Sequence, residues 1–390
     1  GDVMFTGPSF VAFSGVFTLG VLFSILGSVK LKLAETLNID DTKVGSLISA
    51  MMFTCLIAVL IVGPLTDTVG YGMVALIGLG LACVSVLVLA SARNYTTALI
   101  ACLVLGIAAM CANTIGNTLG PTVLFEGQNA PRASNLLNVF FGIGAFITPL
   151  IIALLLSNMG YKKTVSLIGA ILFLPIILVA LTMKQLPQPE AGFNVAKTLG
   201  LLSNPVVLVG GLALFCYIAL ESSMAGFVST YLKSHQFSDE KATSFLSGFW
   251  IALMVARLIT AIFLTGLDPA VLVPVLALIA ALAIGLMIIA PNPATGVFGT
   301  LLAGFSFGPV FPTLVGVCFG KTDAINQGTA GSVFGLIFAI GLFGGIFIPP
   351  IIGNYTAKTS IRQGLKIALG VSVALMIIGT VLWRFVPNVL

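Results

Sequence analysis

The sequence has very little charge. Of its 390 residues only 7% are Asp, Glu, Lys or Arg, against ~25% in soluble domains. With 58% hydrophobic residues and a mean hydropathy of +1.17, a soluble fold is excluded. Such a fold hides apolar residues on one face of each helix, whereas here nearly every segment is apolar all round, as lipid-facing helices are. There is one histidine, His235, in the stretch Lys233-Ser234-His235-Gln236, which reads as a loop. A lone histidine with scattered acids excludes a metal site of histidine ligands and makes a membrane-embedded enzyme a distant alternative. No Gly-x-x-x-x-Gly-Lys-Ser/Thr loop occurs, which argues against an ATP-driven pump. No cofactor is expected. The six cysteines, Cys55, Cys83, Cys102, Cys111, Cys216 and Cys318, lie in apolar stretches without metal-ligand spacing and read as small packing residues. The charged residues behind the net charge of +5 are mostly confined to short polar breaks, so they describe loops and leave no nucleic-acid-binding face.

What is there is a series of long apolar runs. A bilayer core of ~30 Å needs ~20 residues of helix, and division at the polar breaks gives twelve such stretches. They run over 10–30, 43–65, 72–91, 97–118, 134–156, 163–183, 205–232, 242–264, 270–290, 296–319, 328–352 and 362–384. The first is too long for a signal-peptide core and lacks a basic start, so it counts as a helix of the mature protein. The breaks hold helix-terminating residues, among them Asn94-Tyr95-Thr96-Thr97, Ser238-Asp239-Glu240 and Pro291-Asn292-Pro293. The longest break follows the sixth run. The expected organisation is a six-helix bundle over 1–183, a cytoplasmic linker over 184–204 and a second six-helix bundle over 205–390.

The halves echo each other. Gly144-Ala-Phe-Ile-Thr-Pro149 in the fifth run resembles Gly345-Ile-Phe-Ile-Pro-Pro350 in the eleventh. Gly116-Asn-Thr-Leu-Gly120 in the fourth matches Gly316-Val-Cys-Phe-Gly320 in the tenth. Both pairs are displaced by about two hundred residues, the offset expected of a duplicated unit, and duplications of this kind are common in transporters. The loop Gly63-Pro-Leu-Thr-Asp67-Thr-Val-Gly70-Tyr-Gly72, between runs two and three, resembles the glycine-acid-glycine loop of the major facilitator superfamily, although no Arg or Lys flanks Gly70. Within that superfamily the chain is similar to the fucose permease group. The matching residues are Ala112-Asn113, Leu119-Gly120-Pro121, Ser134-Asn135-Leu136, Tyr217-Ile-Ala-Leu-Glu221, Phe249-Trp250, Ala256-Arg257 and Gly308-Pro309-Val-Phe311-Pro312-Thr313.

The resemblance implies an all-α membrane protein of twelve transmembrane helices in two six-helix pseudo-repeats. It further implies a sugar transporter working by alternating access around a central site, with H+ or another ion as coupling partner. Fucose permeases carry acids in the first and fourth spans. Here the first run has no acid between Phe10 and Val29, and Ala109 stands at the fourth-span position, so the group's usual proton-coupling carboxylates are missing. An exporter of drugs, lipids or another metabolite is the same-fold alternative. Membrane lipid is the only other partner implied, with a monomeric chain in the cell inner membrane.

An ionisable residue inside a membrane helix costs ~2.5–3.5 kcal/mol on insertion scales and is a functional candidate by default. Glu221 is the leading case, as a sugar-hydroxyl acceptor and as the proton-coupling candidate; the plain alternative is a carboxylate that caps or pairs with a helix. Arg257 is the other deep charge, expected as a gate residue or the partner of a helix C-terminus. Asp67 is expected to gate with it. Asn113 and Asn117, four apart, share one helix face, and Asn135 and Asn138 lie three apart. Amides both donate and accept, as sugar hydroxyls do, yet interhelical hydrogen bonding explains Asn113 and Asn138 equally well and is the first explanation of Asn117 and Asn135. Tyr217, Trp250 and Phe311 offer flat apolar surface for a sugar ring, although aromatics are ordinary bundle filler.

The superfamily's orientation puts both termini in the cytoplasm. The basic residues disagree. Five lie in breaks on that side, and eleven on the other: Lys30, Lys32, Lys43, Arg93, Lys162, Lys163, Lys233, Lys241, Lys358, Arg362 and Lys366. The positive-inside rule expects the reverse.

Overall fold

A computed structural model describes residues 5–189 and 195–388, so part of the expected linker, 190–194, lies outside the described residues. Among these residues there are helices, turns and bends and no strand. Eleven helical stretches among the described residues are apolar and long enough to cross a membrane. One of them, Ala130–Gln185, is 56 residues long and is cut at Gly160 (φ 78°, ψ 170°), which makes twelve spans. They are α1 (Gly7–Leu37), α2 (Asp41–Val69), α3 (Tyr71–Ser91), α4 (Tyr95–Val123), α5 (130–159), α6 (161–182), α7 (Pro205–Ser234), α8 (Asp239–Phe263), α9 (Leu272–Ile289), α10 (Pro293–Phe307 and Val310–Thr322), α11 (Ala330–Lys358) and α12 (Ile361–Arg384).

The ends are where the polar breaks place them. Asp40, Asn94, Asn204, Ser238, Asn292 and Ser360 each accept a hydrogen bond from a first-turn N–H of α2, α4, α7, α8, α10 and α12, satisfying one of the donors that a helix start leaves open. One difference from the sequence expectation is in α10. It is two helices meeting at Gly308-Pro309, because Pro309 has no N–H to bond the preceding turn and Pro312 withholds the donor that the Gly308 carbonyl would otherwise receive.

The described residues form two compact units. The first holds residues up to Gln128, Phe140 to Val195 and Ile325–Gly335; the second holds Asn129–Val139, Ala196–Ala324 and the chain from Leu336 onward. In the first unit α4 packs against α1, α2 and α3, and in the second α10 packs against α7, α8 and α9. Of the eleven stretches, these two are the most enclosed. Large apolar side chains on the outer helices, such as Ile61, Ile77, Leu174, Ile262 and Leu282, are exposed, as lipid-facing residues must be.

The repeat is visible in the packing. In the first unit a Cβ on Gly144 of α5 would collide with the Phe17 carbonyl of α1, and in the second a Cβ on Gly344 of α11 would collide with the Phe215 carbonyl of α7. Only glycine lets these backbones approach so closely. Each pair is the image of the other at an offset near two hundred residues.

Candidate solute site

In the first unit, the helical spacing of α4 stacks Asn113 and Asn117 on one face, and both are fully buried. Asn117 Nδ2 donates to Asn113 Oδ1 at 2.8 Å and to the Asn113 carbonyl at 3.1 Å. Asn113 Nδ2 in turn lies 3.9 Å from Met110 Sδ, a weak acceptor. The two amides therefore satisfy much of their bonding locally, which a buried polar pair requires.

The second unit brings together more of the candidates. Tyr217 on α7 and Arg257 on α8 are 1% and 2% exposed. Arg257 Nε donates to the Gly308 carbonyl at 2.7 Å, Nη1 to the Asn138 carbonyl at 3.3 Å and Nη2 to the Tyr217 hydroxyl at 3.2 Å. The first of these bonds follows from the break in α10: the guanidinium fills the acceptor that Pro312 leaves open. Glu221 is one turn along α7, near enough for its carboxylate to act on the Tyr217 hydroxyl. Tyr217 is thus flanked by a carboxylate and a guanidinium.

Phe311 stacks on the Tyr217 ring with centroids 6.1 Å apart and planes at 25°, so the aromatic and charged candidates share one patch. Trp250 is part-buried and packs at 81° to the Phe249 ring, with centroids 5.3 Å apart. Asn138 Nδ2 donates to the Ser134 carbonyl at 2.8 Å. Asn135 Nδ2 reaches the Pro131 carbonyl at 2.9 Å and Thr313 Oγ1 on α10 at 3.0 Å, while Asn135 Oδ1, Ser134 Oγ and Ser223 Oγ are buried without a hydrogen-bond partner among the described residues.

Asp67, at the end of α2, lies in the first unit with the start of α11. Its carboxylate accepts from Gly331 N at 2.9 Å, Ser332 N at 2.8 Å and Ser332 Oγ at 2.7 Å. It caps the open first turn of α11, where amide N–H groups and the helix dipole favour an anion.

Two features escaped the sequence reading. Arg132 donates from Nε to the Ala261 carbonyl at 2.5 Å and from Nη2 to Ile262 at 3.4 Å, and Asn129 Nδ2 reaches Leu264 at 3.4 Å, so together they cap the end of α8. Partners some 130 residues apart carry no local signal. His235 lies in the turn after α7, as the sequence indicates, but it caps α7 and is only 9% exposed. Its Nε2 lies 3.0 Å from the Tyr231 hydroxyl and 3.5 Å from Arg362 Nη2.

The family model described as Major Facilitator Superfamily matches residues 11–349. The chain belongs to the Major Facilitator Superfamily. It is therefore an integral, multi-pass membrane transporter of a small-molecule solute and not an enzyme. Among curated proteins, the TsgA homologues of Yersinia pestis (strain Pestoides F) and Yersinia pseudotuberculosis (serotype O:3, strain YPIII) are each 24% identical over 381 residues, 95% of this chain and 93% of theirs. Among solved structures, a single-substitution variant of the E. coli fucose:proton symporter FucP matches with a TM-score of 0.80 at 18% identity, over 96% of this chain and 98% of that one. The proton:xylose symporter XylE matches at 0.77 and 14% identity, over 98% and 96%. These likenesses establish the superfamily's fold for this chain.

Proposed function

We propose that this protein is a secondary transporter of a sugar, working by alternating access of its six-helix halves, 1–183 and 205–390, joined by 184–204, in the cell inner membrane. The carrying observation is the patch on α7, α8 and α10: Glu221, Tyr217 and Arg257 in membrane-spanning helices, with Phe311 stacked on Tyr217. Charge and hydroxyl placed at membrane depth are costly unless used, and a flat ring beside hydrogen-bonding groups suits a pyranose, which has an apolar face and a polar rim. The symporter activities named for two structural neighbours, fucose:proton and proton:xylose, support the same reading. In it Glu221 is the proton carrier, since the acids of the first and fourth spans are missing, and Asn113, Asn117, Asn135, Asn138, Tyr217, Trp250 and Phe311 contact solute. Asp67 and Arg257 hold helix ends whose release accompanies the conformational cycle.

Uptake of radiolabelled monosaccharides into proteoliposomes, with and without an inward pH gradient, tests this reading. Saturable uptake enhanced by the gradient is the expected result. Glu221→Gln should then abolish the gradient's effect yet leave counterflow exchange intact. Loss of exchange as well would make Glu221 a solute ligand instead, and no uptake of any sugar would sink the sugar assignment while leaving the fold untouched.

A further inference from the structure

Arg257 is a permanent cation buried inside the second unit, and among the described residues no carboxylate forms an ion pair with it. The guanidinium instead has three bonds, to two main-chain carbonyls and one phenol. These bonds are unequal. The Nε bond to Gly308 is short at 2.7 Å and anchors the side chain to the break in α10, whereas the Nη1 and Nη2 bonds, at 3.3 and 3.2 Å, are at or past the long end of the N–H···O range. The two terminal nitrogens are thus loosely held by neutral acceptors, and each has a further N–H to give. A pair of Nη donors in one plane is the geometry that receives a carboxylate bidentately.

A second observation concerns the ends of the helices. In the first unit the end shared by the α1–α2, α3–α4 and α5–α6 connections carries Lys30, Lys32, Lys43, Arg93, Lys162 and Lys163 against Glu35, Asp40 and Asp41. In the second, the end shared by the α7–α8 and α11–α12 connections carries Lys233, Lys241, Lys358, Arg362 and Lys366 against Asp239 and Glu240. Each unit has a net charge of +3 at that end by sequence, a field that concentrates anions and repels cations.

We propose that the solute is an anion, a sugar acid, whose carboxylate is bound by Arg257 Nη1 and Nη2 in place of the Tyr217 hydroxyl and the Asn138 carbonyl. The proposal rests on the reading of the chain as a sugar transporter and narrows its substrate class. It also gives Glu221 its coupling role. A carboxylate bound at Arg257 arrives beside the Glu221 side chain, two like charges in one buried patch are mutually unfavourable, and a proton carried by Glu221 removes that repulsion. One monovalent acid then moves with one proton, and the step is electroneutral.

The test sets a hexuronate against the neutral hexose of the same configuration, galacturonate against galactose, in two assays. In the first, the purified wild-type protein is heated with each compound; galacturonate should raise the melting temperature and galactose should not. In the second, proteoliposome uptake of galacturonate should respond to a pH gradient and be indifferent to a potassium-valinomycin potential. Arg257→Gln should raise the KM for galacturonate about a hundredfold, the loss expected from two charge-assisted hydrogen bonds, and Arg257→Lys should recover only part of it. Uptake and stabilisation by galactose with no response to galacturonate would overturn the proposal and leave the sugar reading standing. No response to either compound would overturn the proposal as well, and the sugar reading would fall with it only if no monosaccharide is taken up. If the Arg257 variants fail to fold, the wild-type melting shifts still decide between acid and neutral sugar.

Discussion

Tyr217 is a neutral hydroxyl between a carboxylate and a guanidinium, both on membrane-spanning helices, and its removal is the most direct probe of that patch. Tyr217→Phe keeps the ring that stacks on Phe311 and deletes only the oxygen that accepts from Arg257 Nη2. A buried donor left unpaired costs about 1–3 kcal/mol, so the variant should melt lower than wild type in detergent, with its helical circular dichroism unchanged; an unaltered melting temperature would show that the hydroxyl carries no structural weight. Part of this patch was legible in the sequence. An acid and a tyrosine four apart in an apolar run must share a helix face, and so must Asn113 and Asn117. The attachment of Arg257 to α10 was not legible as a contact, because Gly308 and Pro312 advertise an open carbonyl without saying which of the distant side chains fills it. The capping of α8 by Arg132 and Asn129 was hidden for the same reason.

Elements were far easier to read than their junctions. Twelve apolar runs of bilayer length, six of them opened by an Asn, Asp or Ser cap, give the spans to within a few residues at many ends, whereas the break inside α10 leaves no gap in hydrophobicity. Gly144 shows what the repeat demands of an element. Replacing it by Val puts carbon atoms into the Phe17 carbonyl, and overpacking of this kind typically costs about 1–3 kcal/mol. Gly144→Val and its counterpart Gly344→Val should both lower the melting temperature, while Val at Gly80, whose Cβ position is open, should leave it unchanged. His235 joins four elements at one end of the second unit. Its partner Tyr231, also on α7, donates to the Met287 carbonyl of α9 at 2.6 Å, a Cβ on Gly296 of α10 would press on the imidazole, and Arg362 of α12 faces it while bonding the Ile288 and Ala290 carbonyls. Burial, and then the Arg362 charge, hold the imidazole below its usual value of 6.5. The unfolded chain therefore takes up the proton more readily than the folded one, so the neutral histidine's contribution is complete above about pH 6.5 and fades as pH falls below it. Melting temperatures measured from pH 8 down to about pH 5 should decline through the acid range, and His235→Gln should flatten that decline. An equal slope in the variant would place the sensitivity elsewhere.

At the scale of the whole molecule the charges are sorted by end. The end formed by the odd-to-even connections carries eleven basic and five acidic residues, a net +6, and only five basic residues lie in the opposite connections and termini. Two physical rules compete over which way this polarity points. The positive-inside rule acts during insertion and would set the basic end in the cytoplasm; the superfamily's orientation would set it outside, where it meets solute arriving from the medium. The family orientation is the expected one, because the Asp67 loop sits between α2 and α3, where the superfamily's own loop lies on the cytoplasmic side. The protein suits a direct test, since all six native cysteines are buried and give little background to a membrane-impermeant maleimide. With Lys163→Cys placed in the basic end and Lys197→Cys in the opposite one, labelling of intact cells should mark the first and spare the second, and permeabilised cells should label both. The reverse pattern would mean that insertion followed the lysines. The basic end would then face the cytoplasm, and a solute anion gathered by it would be leaving the cell.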